Sequence, residues 1–239
     1  MSGKRVCLFT GAGGTLGNAF CRQHLTDYQI AAVHRSKAPA VPSQYQSLQD
    51  PLAPAEEILE NQHRVFSIRS DLQKEGEIAR VVELTLARFD RIDLVVNAAV
   101  HSVWGPLLDD ERLLGSLTTQ FEVNTLLPLR LAVAIAKAFW QNRKAENEQG
   151  NRNIVNVSSL AGLRVFTGSG QSVYPASKAG LNHLTAHMAS EFACIGVRVN
   201  AVAPNSFPRI VSPERVVEEI RRLDEADMTG KIVIVDRTQ

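Results

Sequence analysis

The sequence predicts an α/β fold in which one doubly wound parallel sheet of about seven strands has helices on both faces. Three observations predict it. Short apolar, β-branched runs recur along the 239 residues, stretches with helical spacing separate most of them, and no internal repeat or second core interrupts the alternation. Parallel neighbours need crossover connections, so this alternation favours one parallel sheet. We therefore expect residues 1–239 to form a single domain.

The predicted strands are seven short runs distributed along the chain. They are Val6–Phe9, Ile30–Val33, Val65–Ile68, Leu94–Val96, Ile154–Val157, Val197–Val202 and Ile232–Val235. Apolar residues with helical spacing follow the first run at Leu16, Ala19 and Phe20. A long apolar helix is predicted from Leu126 to Trp140.

Two stretches depart from this alternation. Residues 36–62 contain four prolines and a short helical-looking segment, Glu56–Glu60, and are predicted to form a long surface connection. Gln141–Asn153 is polar and is predicted to be the frayed end of the long helix and the loop after it. Neither stretch adds a strand to the predicted sheet.

The charge and cysteine content exclude several classes of partner. The chain has 26 basic and 25 acidic residues, and neither sign forms a long block, so no nucleic-acid or membrane surface is expected. No run of about eighteen apolar residues occurs, and Val6–Phe9 is too short for a signal-peptide core. The three cysteines lack CxxC spacing, which argues against a disulfide framework and a zinc site. We expect a cytoplasmic protein that binds no metal.

A glycine-rich turn follows the first predicted strand. Its sequence, Thr10-Gly11-Ala12-Gly13-Gly14-Thr15-Leu16-Gly17, leads directly into a helical pattern. Glycines let the backbone approach a pyrophosphate, and free amides at the start of the helix bind its charge. Many strand-to-helix loops are rich in glycine, but the position after the first strand favours a dinucleotide site. The expected contacts are Gly11, Gly14, Thr15, Leu16 and Gly17.

The end of the second predicted strand favours NADP over NAD. A carboxylate there would accept from the ribose 2′-hydroxyl of NAD, but no Asp or Glu lies between Asp27 and Asp50. The chain has His34-Arg35-Ser36-Lys37 instead, and a guanidinium beside a hydroxyl suits the 2′-phosphate of NADP. Arg35 and Ser36 are therefore predicted to select NADP. The alternative is that Arg35 simply points into solvent.

A tyrosine and a lysine stand four residues apart at the start of a predicted helix. Tyr174-Pro175-Ala176-Ser177-Lys178 precedes further apolar positions with helical spacing, and Pro175 is tolerated in a first turn. The spacing stacks Tyr174 and Lys178 on one face. An ammonium beside a phenol lowers the pKa of the phenol, which would prepare Tyr174 for acid–base chemistry. The alternative is that the two residues merely share a helix surface.

Two further polar positions accompany this pair. Ser159 follows the predicted strand Ile154–Val157, and the carboxyl end of such a strand borders the ligand crevice of an open α/β sheet. Asn124 lies at the predicted start of the long apolar helix. Both positions have structural alternatives, since strand-end serines and helix-start amides commonly act as caps.

Together these motifs resemble those of the single-domain short-chain dehydrogenases/reductases, in particular the 3-oxoacyl-[acyl-carrier-protein] reductases. The resemblance covers nearly the whole chain. The matching segments are the Thr10–Gly17 turn, Asp71-Leu72, Arg91–Ala99, Asn124, Ser159, Tyr174 with Lys178, and Arg198–Pro204. The resemblance implies a Rossmann-like fold, a homodimer or homotetramer, and a small-molecule or carrier-bound carbonyl substrate.

The resemblance also implies a role for each matched residue. Tyr174 would protonate a carbonyl oxygen as NADPH delivers hydride to the carbon, and Ser159 would hydrogen-bond that oxygen. Lys178 would tune Tyr174 and hold the nicotinamide ribose, while Asn124 would help hold a water that relays protons to Lys178. The other implied cofactor contacts are Asp71 and Leu72 at the adenine, Asn97 and Ala98 after the fourth strand, and Pro204 after the sixth.

The chain departs from the family pattern on the nicotinamide and substrate side. Thr15 replaces a glycine of the turn, Ala98-Ala99 replaces the usual Ala-Gly, and Pro204-Asn205 replaces the usual Pro-Gly. A helical lid normally follows, but here only Asn205 to Val211 precede the next helical pattern. Without a lid, water is poorly excluded. Either the substrate supplies its own cover, or a partner subunit does, or catalysis is weakened.

The sequence therefore predicts an NADP(H)-dependent oxidoreductase that transfers hydride between nicotinamide and a ketone or 3-oxoacyl carbonyl or a secondary alcohol. Two alternatives stay open. One is a dinucleotide-binding regulatory or scaffolding protein with weakened catalysis, which the short connection after Pro204 favours. The other is an NAD-dependent alcohol or sugar dehydrogenase, which requires NAD to bind at least as well as NADP despite Arg35.

Overall fold

Seven parallel strands form one sheet. The computed structural model describes residues 4–44, 64–108, 111–168 and 170–237. The strands are β1 (Arg5–Thr10), β2 (Tyr28–His34), β3 (Val65–Arg69), β4 (Leu94–Asn97), β5 (Asn153–Val157), β6 (Arg198–Pro204) and β7 (Ile232–Val235). Their order is β3-β2-β1-β4-β5-β6-β7, and every neighbouring pair is parallel. The prediction of about seven parallel strands is confirmed, and the strand order reverses between β1 and β4.

Helices connect the strands and cover both faces of the sheet. They are α1 (Thr15–Gln23), α2 (Glu77–Phe89), α3 (Glu111–Gly115), α4 (Leu117–Trp140), α5 (Lys144–Gln149), α6 (Val173–Phe192) and α7 (Pro213–Glu225). Two stretches of α4, Glu122–Leu126 and Ala136–Trp140, are wound as π-helix. Short 3₁₀ turns follow β5 at Leu160–Gly162 and α6 at Ala193–Ile195.

Two apolar cores lie on opposite faces of the sheet. On one face α1 and α7 pack on the strands, and the rings of Phe9 and Phe20 lie 5.0 Å apart between centroids. On the other face α2, α4 and α6 form the covering layer. Successive strand residues point to opposite faces, so β1 contributes Cys7 and Phe9 to one core and Leu8 to the other. Both faces are thus covered, which confirms the predicted doubly wound arrangement.

The long apolar helix α4 begins earlier than predicted, at Leu117 rather than at Leu126. Asn124 therefore lies inside the helix, and its interpretation as a helix cap is wrong. The first turn is polar, which hides its helical pattern, and a hydrogen bond of 2.9 Å from Gln120 to the hydroxyl of Ser116 supports it. Among the described residues α4 alone has the length and mean hydropathy, 1.3, of a membrane span. Its apolar side packs on the sheet, so α4 is a core helix.

The polar stretch Gln141–Asn153 contains a helix, α5, where the sequence predicts only a frayed end and a loop. Asn147 anchors this helix, because its buried amide donates to the carbonyl oxygens of Trp140 at 2.8 Å and of Ile195 at 2.6 Å. Because a polar residue anchors α5, its sequence lacks the apolar periodicity by which a helix is predicted. Of the predicted connection 36–62, residues 45–62, including Glu56–Glu60, lie outside the described residues.

A buried polar network joins the strands at the edge of the sheet where they begin. Arg5 and Tyr28, the first residues of β1 and β2, donate to the carboxylate of Asp224 in α7 at 2.7 to 2.9 Å. Arg198, the first residue of β6, donates to the carbonyl oxygens of Leu223 and Asp224 at 2.9 Å. Asp224 is buried, and these donors offset part of the rise in its pKa that burial causes. We name Arg5, Tyr28, Arg198 and Asp224 the amino-edge network.

Candidate active site

The candidate site lies at the opposite edge of the sheet, where β1 and β4 end side by side. The hydroxyl of Thr10, the last residue of β1, accepts from the backbone amides of Ala98 and Ala99 at 3.1 and 3.2 Å. In open α/β sheets the ligand crevice lies outside the carboxyl ends of the strands, at the point where the strand order reverses. Thr10 thus holds together the two loops that border the crevice, a role that the sequence motif did not reveal.

The glycine-rich turn brings the start of α1 to this crevice. Gly11 has a φ of +73°, and a Cβ on it would lie 2.8 Å from the carbonyl oxygen of Ala98, so both backbone and space require glycine. α1 begins at Thr15 after an extended Gly14, and no side chain in the described part of the chain caps its first amides. Those amides and the positive end of the helix dipole are available to an anion. A cavity of about 210 Å³ is lined here by Gly11, Gly14, Thr15 and Leu16.

The loops after β2 and β3 form a second cleft beside the first. Its lining includes the predicted Arg35, Ser36, Asp71 and Leu72. His34 also lines this cleft, and both of its ring nitrogens are buried without a hydrogen-bond partner among the described residues. An adjoining cavity of about 410 Å³ combines three cationic and two acidic side chains, those of Arg35, Arg69, Lys74, Asp71 and Glu77. The two clefts together form a polar, net cationic surface.

Ser159, Tyr174 and Lys178 come together where β5 ends and α6 begins. The side chains of Tyr174 and Ser159 share a hydrogen bond, and the Nζ of Lys178 lies 5.9 Å from the centroid of the Tyr174 ring. The predicted stacking on one helix face is therefore confirmed. Ser159 Oγ also accepts from the amide of Ala161 at 3.2 Å and caps the 3₁₀ turn, so its interpretation as a cap is confirmed. Lys178 Nζ donates to the carbonyl oxygen of Val157 at 2.7 Å.

Burial sets the protonation of this group. It raises the pKa of Tyr174 above its ordinary value, and the hydrogen bond with Ser159 opposes the rise. Burial lowers the pKa of Lys178 to about 7. The sequence expectation that an adjacent ammonium lowers the pKa of Tyr174 is not met, because Lys178 donates to Val157 and is itself only partly charged near neutral pH. Tyr174 is therefore a protonated phenol at neutral pH, as a proton donor must be.

Asn124 joins the loop after β4 to α6. Its side chain accepts from the amide of His101 at 2.9 Å and donates to the carbonyl oxygen of the same residue at 2.8 Å. It also donates to the hydroxyl of Ser177 at 3.0 Å, and Ser177 in turn donates to the carbonyl oxygen of Tyr174 at 2.7 Å. Asn124 lies in the first π-helical stretch of α4, a conformation that often marks functional sites. Its observed contacts position the tyrosine-bearing turn.

The remaining predicted contacts lie at the same edge, but not all of them face the crevice. Ala98 lines the cavity together with Tyr174 and Lys178. Asn97 is buried and donates to the side-chain oxygen of Asn156 at 2.9 Å, a bond that joins β4 to β5. The last two predicted contacts are also buried. Pro204 lies in β6, and Gly17 lies in α1.

The connection between β6 and α7 is as short as predicted. β6 ends at Pro204 and α7 begins at Pro213, with Ser212 accepting from the amide of Arg215 at 3.3 Å as its cap. Phe207 in this connection lines the same cavity as Tyr174. The sequence motifs assign no role to Phe207, although it is the single aromatic residue in this short connection. An apolar ring therefore closes part of the space that a lid would cover.

Comparisons with known proteins agree with this geometry. Residues 5–208 match the family described as short chain dehydrogenase. The chain belongs to the short-chain dehydrogenase family. It is 30% identical over 200 residues to the 3-oxoacyl-[acyl-carrier-protein] reductase of Synechocystis sp., a match that covers 84% of this chain and 73% of that protein.

Two further similarities locate the chain within the short-chain dehydrogenases. It is 34% identical over 142 residues to the 1,6-dihydroxycyclohexa-2,4-diene-1-carboxylate dehydrogenase of Pseudomonas putida. That match spans 59% of this chain and 48% of the relative, so it covers less than half of the relative's length. The crystal structure of a short chain dehydrogenase from Mycobacterium smegmatis superposes with a TM-score of 0.78 at 25% identity, covering 99% of this chain and 93% of that one.

The crevice fits the nicotinamide dinucleotide that this family uses. The uncapped amides at the start of α1 face a cavity, where the phosphates of a dinucleotide would be bound. The unpaired ring nitrogens of His34 and the guanidinium of Arg35 border the adjoining cleft, where they can meet polar groups of an adenosine. As a family member the chain is an oxidoreductase that acts on alcohol or carbonyl groups.

Proposed function

We propose that the protein is an NADP(H)-dependent oxidoreductase that interconverts a ketone or 3-oxoacyl-type carbonyl and the corresponding secondary alcohol. One observation carries the proposal, since a single cavity is lined both by the glycine-rich turn and by Tyr174 and Lys178. The phosphate-binding half and the acid–base half of the site therefore open into the same space. Residues 1–239 would act as one cofactor-binding domain.

The chain's own residues supply the proton chemistry. A bound nicotinamide supplies or accepts the hydride. Tyr174, protonated at neutral pH, gives its proton to the substrate oxygen in the reductive direction. Ser159, already bonded to Tyr174, holds that oxygen and stabilises its developing charge. Lys178, with a pKa of about 7, can donate to ribose hydroxyls and resupply a proton, and Asn124 is proposed to help hold the relaying water.

The cofactor is proposed to lie along the carboxyl edge of the sheet. The pyrophosphate would be held by the turn and the start of α1, the adenosine by the loops after β2 and β3, and the nicotinamide by the ends of β4 and β6. The proposed contacts, in that order, are Gly11, Gly14, Thr15, Leu16, Gly17, Arg35, Ser36, Asp71, Leu72, Asn97, Ala98 and Pro204, together with Tyr174 and Lys178.

The preference for NADP is tested by removing the arginine after β2. Arg35 borders both adenosine-side cavities, where Arg69 and Lys74 add positive charge. Because a guanidinium–phosphate pair is a strong, charge-assisted contact, Arg35→Ala should weaken NADPH binding about tenfold or more while NADH binding stays unchanged. Titration by nicotinamide fluorescence measures both affinities. Arg22→Ala, an exposed arginine in the last turn of α1, is the matched control.

The opposite outcome of that titration supports the NAD-dependent alternative. If NADH binds the wild type at least as well as NADPH, or if Arg35→Ala weakens both cofactors equally, Arg35 does not select the 2′-phosphate. The chain would then be an NAD-dependent alcohol or sugar dehydrogenase.

The substrate class is tested by a carbonyl panel that includes acyl thioesters. The reductase relative acts on a carrier-bound 3-oxoacyl group, and the short connection after β6 leaves room for a bulky or carrier-borne substrate. We propose a homodimer or homotetramer, in keeping with the family resemblance, which light scattering measures. A reducing, cytoplasmic location is also proposed, because Cys7, Cys21 and Cys194 are all free thiols.

One observation favours a second function, a dinucleotide-binding regulatory or scaffolding protein with weakened catalysis. The seven residues Asn205 to Val211 carry no lid helix, and Phe207 occupies part of the cavity wall instead. Tight NADPH binding without oxidation across the whole carbonyl panel would support this alternative. Robust turnover of any member of the panel would exclude it.

A further inference from the structure

Two loops next to the candidate active site expose apolar side chains. The loop after β4 exposes Val100, Trp104, Leu107 and Leu108. The loop between β5 and α6 exposes Leu163, Val165 and Phe166. The amide of Gly105 donates to the carbonyl oxygen of Gly170 at 2.8 Å, so the two loops are joined across the site. We name residues 100–108 and 163–166 the apolar rim. Several exposed apolar residues on two joined loops form a candidate binding surface.

Trp104 is the member of the apolar rim that reaches the reacting group. Its indole stacks on the ring of Tyr174, with 6.0 Å between the ring centroids and 28° between the ring planes. Nevertheless 49% of Trp104 is exposed. A tryptophan that only packed the loop would be largely buried, whereas this one rests on the proton donor and keeps a wide apolar surface open to an incoming molecule.

Hydrogen bonds hold Trp104 in this position. Its neighbour Val103 donates through its amide to the side chain of Gln120 at 3.3 Å, and its other neighbour, Gly105, is bonded to the opposite loop. The start of the loop is held by Asn124 in α4. The indole is therefore fixed before substrate arrives, and a pre-organised surface loses little conformational entropy on binding.

We propose that Trp104 is a specificity-determining residue and that the apolar rim selects carbonyl compounds with a flat or bulky apolar group next to the carbonyl. This inference rests on the proposed reduction of a carbonyl at Tyr174. Asn205 to Val211 provide no lid helix, so the indole and the substrate's own apolar group must exclude water around the reacting oxygen. Sugars and small hydroxyketones offer no apolar group for this surface, and we expect them to be poor substrates.

The test compares an aryl ketone with a small polar ketone, acetophenone and hydroxyacetone. The wild type should have the higher kcat/KM for acetophenone. Trp104→Ala should raise the KM for acetophenone about tenfold and leave the value for hydroxyacetone unchanged, because only the aryl group stacks on the indole. Trp104→Phe keeps an aromatic face and should restore most of the loss. Ile234→Ala, an exposed apolar residue in β7, is the control and should change neither value.

A binding measurement separates failure of this inference from failure of the proposed function. Acetophenone is titrated by calorimetry into enzyme loaded with the better-bound oxidised cofactor, which cannot reduce it. If the wild type binds acetophenone, Trp104→Ala does not, and neither ketone is reduced in the kinetic assay, the apolar rim is supported and the proposed function is excluded. Turnover that prefers hydroxyacetone, or acetophenone binding that Trp104→Ala leaves unchanged, overturns the role of Trp104 while the proposed function stands.

Discussion

The two edges of the same sheet differ in how many partners they give to a buried charged group. At the edge where the strands begin, the carboxylate of Asp224 receives donors from Arg5 and Tyr28, which offset part of the rise in its pKa that burial causes. At the edge where the strands end, the buried ammonium of Lys178 donates to a single carbonyl oxygen and its pKa falls to about 7. The nitrogens of His34 at that edge have no partner among the described residues.

This difference shows how one sheet separates stability from function. Groups bonded to one another, such as Arg5, Tyr28 and Asp224, hold β1, β2 and α7 together, and removing one of them leaves the others buried with a partner lost. Groups with fewer partners at the carboxyl edge cost stability but remain available to a ligand, which is typical of functional sites. Substitutions where the strands begin should therefore change the unfolding free energy more than turnover, and substitutions where the strands end should change turnover more. Three comparisons test this expectation.

The largest effect is expected from a pair of tyrosines, one at each edge. Tyr174→Phe removes the proton donor and should lower kcat by about 10³-fold, since general acid catalysis contributes about 10² to 10⁴. It should change the unfolding free energy by less than about 1 kcal/mol. Tyr28→Phe removes the hydrogen bond to Asp224 and should cost about 1 to 3 kcal/mol of stability with turnover unchanged. Steady-state kinetics and urea unfolding measure the two quantities.

A turnover by Tyr174→Phe equal to that of the wild type would remove Tyr174 from the mechanism. If Tyr28→Phe lowered kcat as strongly as Tyr174→Phe, the two edges would be coupled and their separation would be wrong. Neither variant changes the size of its ring, so a change in packing cannot explain either result.

The second comparison removes the carboxylate at the centre of the amino-edge network. Asp224→Ala leaves Arg5 and Tyr28 without their acceptor and should cost about 3 to 5 kcal/mol of unfolding free energy. Its neighbour Glu225 is exposed and pairs with Arg221 on the helix surface, so Glu225→Ala should cost less than about 1 kcal/mol. Urea unfolding measures both losses. Equal losses for the two variants would show that burial does not strengthen the network.

The sequence predicted the features that depend on pattern. The seven strands follow from apolar runs, and the pairing of Tyr174 with Lys178 follows from four-residue helical spacing. The motif context likewise identified the turn after β1. In that turn Gly11 must be glycine, because Ala98 approaches it closely. These features are local, so a linear pattern specifies them.

Features that depend on distant partners could not be predicted. The pKa of Tyr174 depends on how deeply the ring is buried and on where Lys178 points, and neither is local. The sequence places Asn124 at a helix start, because the polar first turn of α4 has no apolar period. Trp104 stacks on a residue seventy positions later in the chain, so its spacing to Tyr174 has no meaning as a pattern.

The smallest expected effect is a gain of stability at the carboxyl edge. Lys178→Met removes a buried ammonium, although it leaves the carbonyl oxygen of Val157 without a donor. A pKa lowered from 10.5 to about 7 corresponds to several kcal/mol of burial cost at neutral pH, and the lost hydrogen bond offsets part of it. We expect the unfolding free energy of Lys178→Met at pH 7 to be about 2 kcal/mol higher than that of the wild type. The variant should also lose turnover.

The pH dependence of that gain identifies its cause. Between about pH 7 and 10.5 the unfolded wild type binds more protons at Lys178 than the folded form, so the contribution of Lys178 to wild-type stability rises with pH in this window. Lys178→Met lacks this rise, and its advantage should be largest at pH 7 or below and shrink towards pH 10. Lys137→Met, on the exposed side of α4, should show no such trend. An advantage that is equal at pH 7 and pH 10 would mean that better packing, and not the buried charge, separates the two proteins.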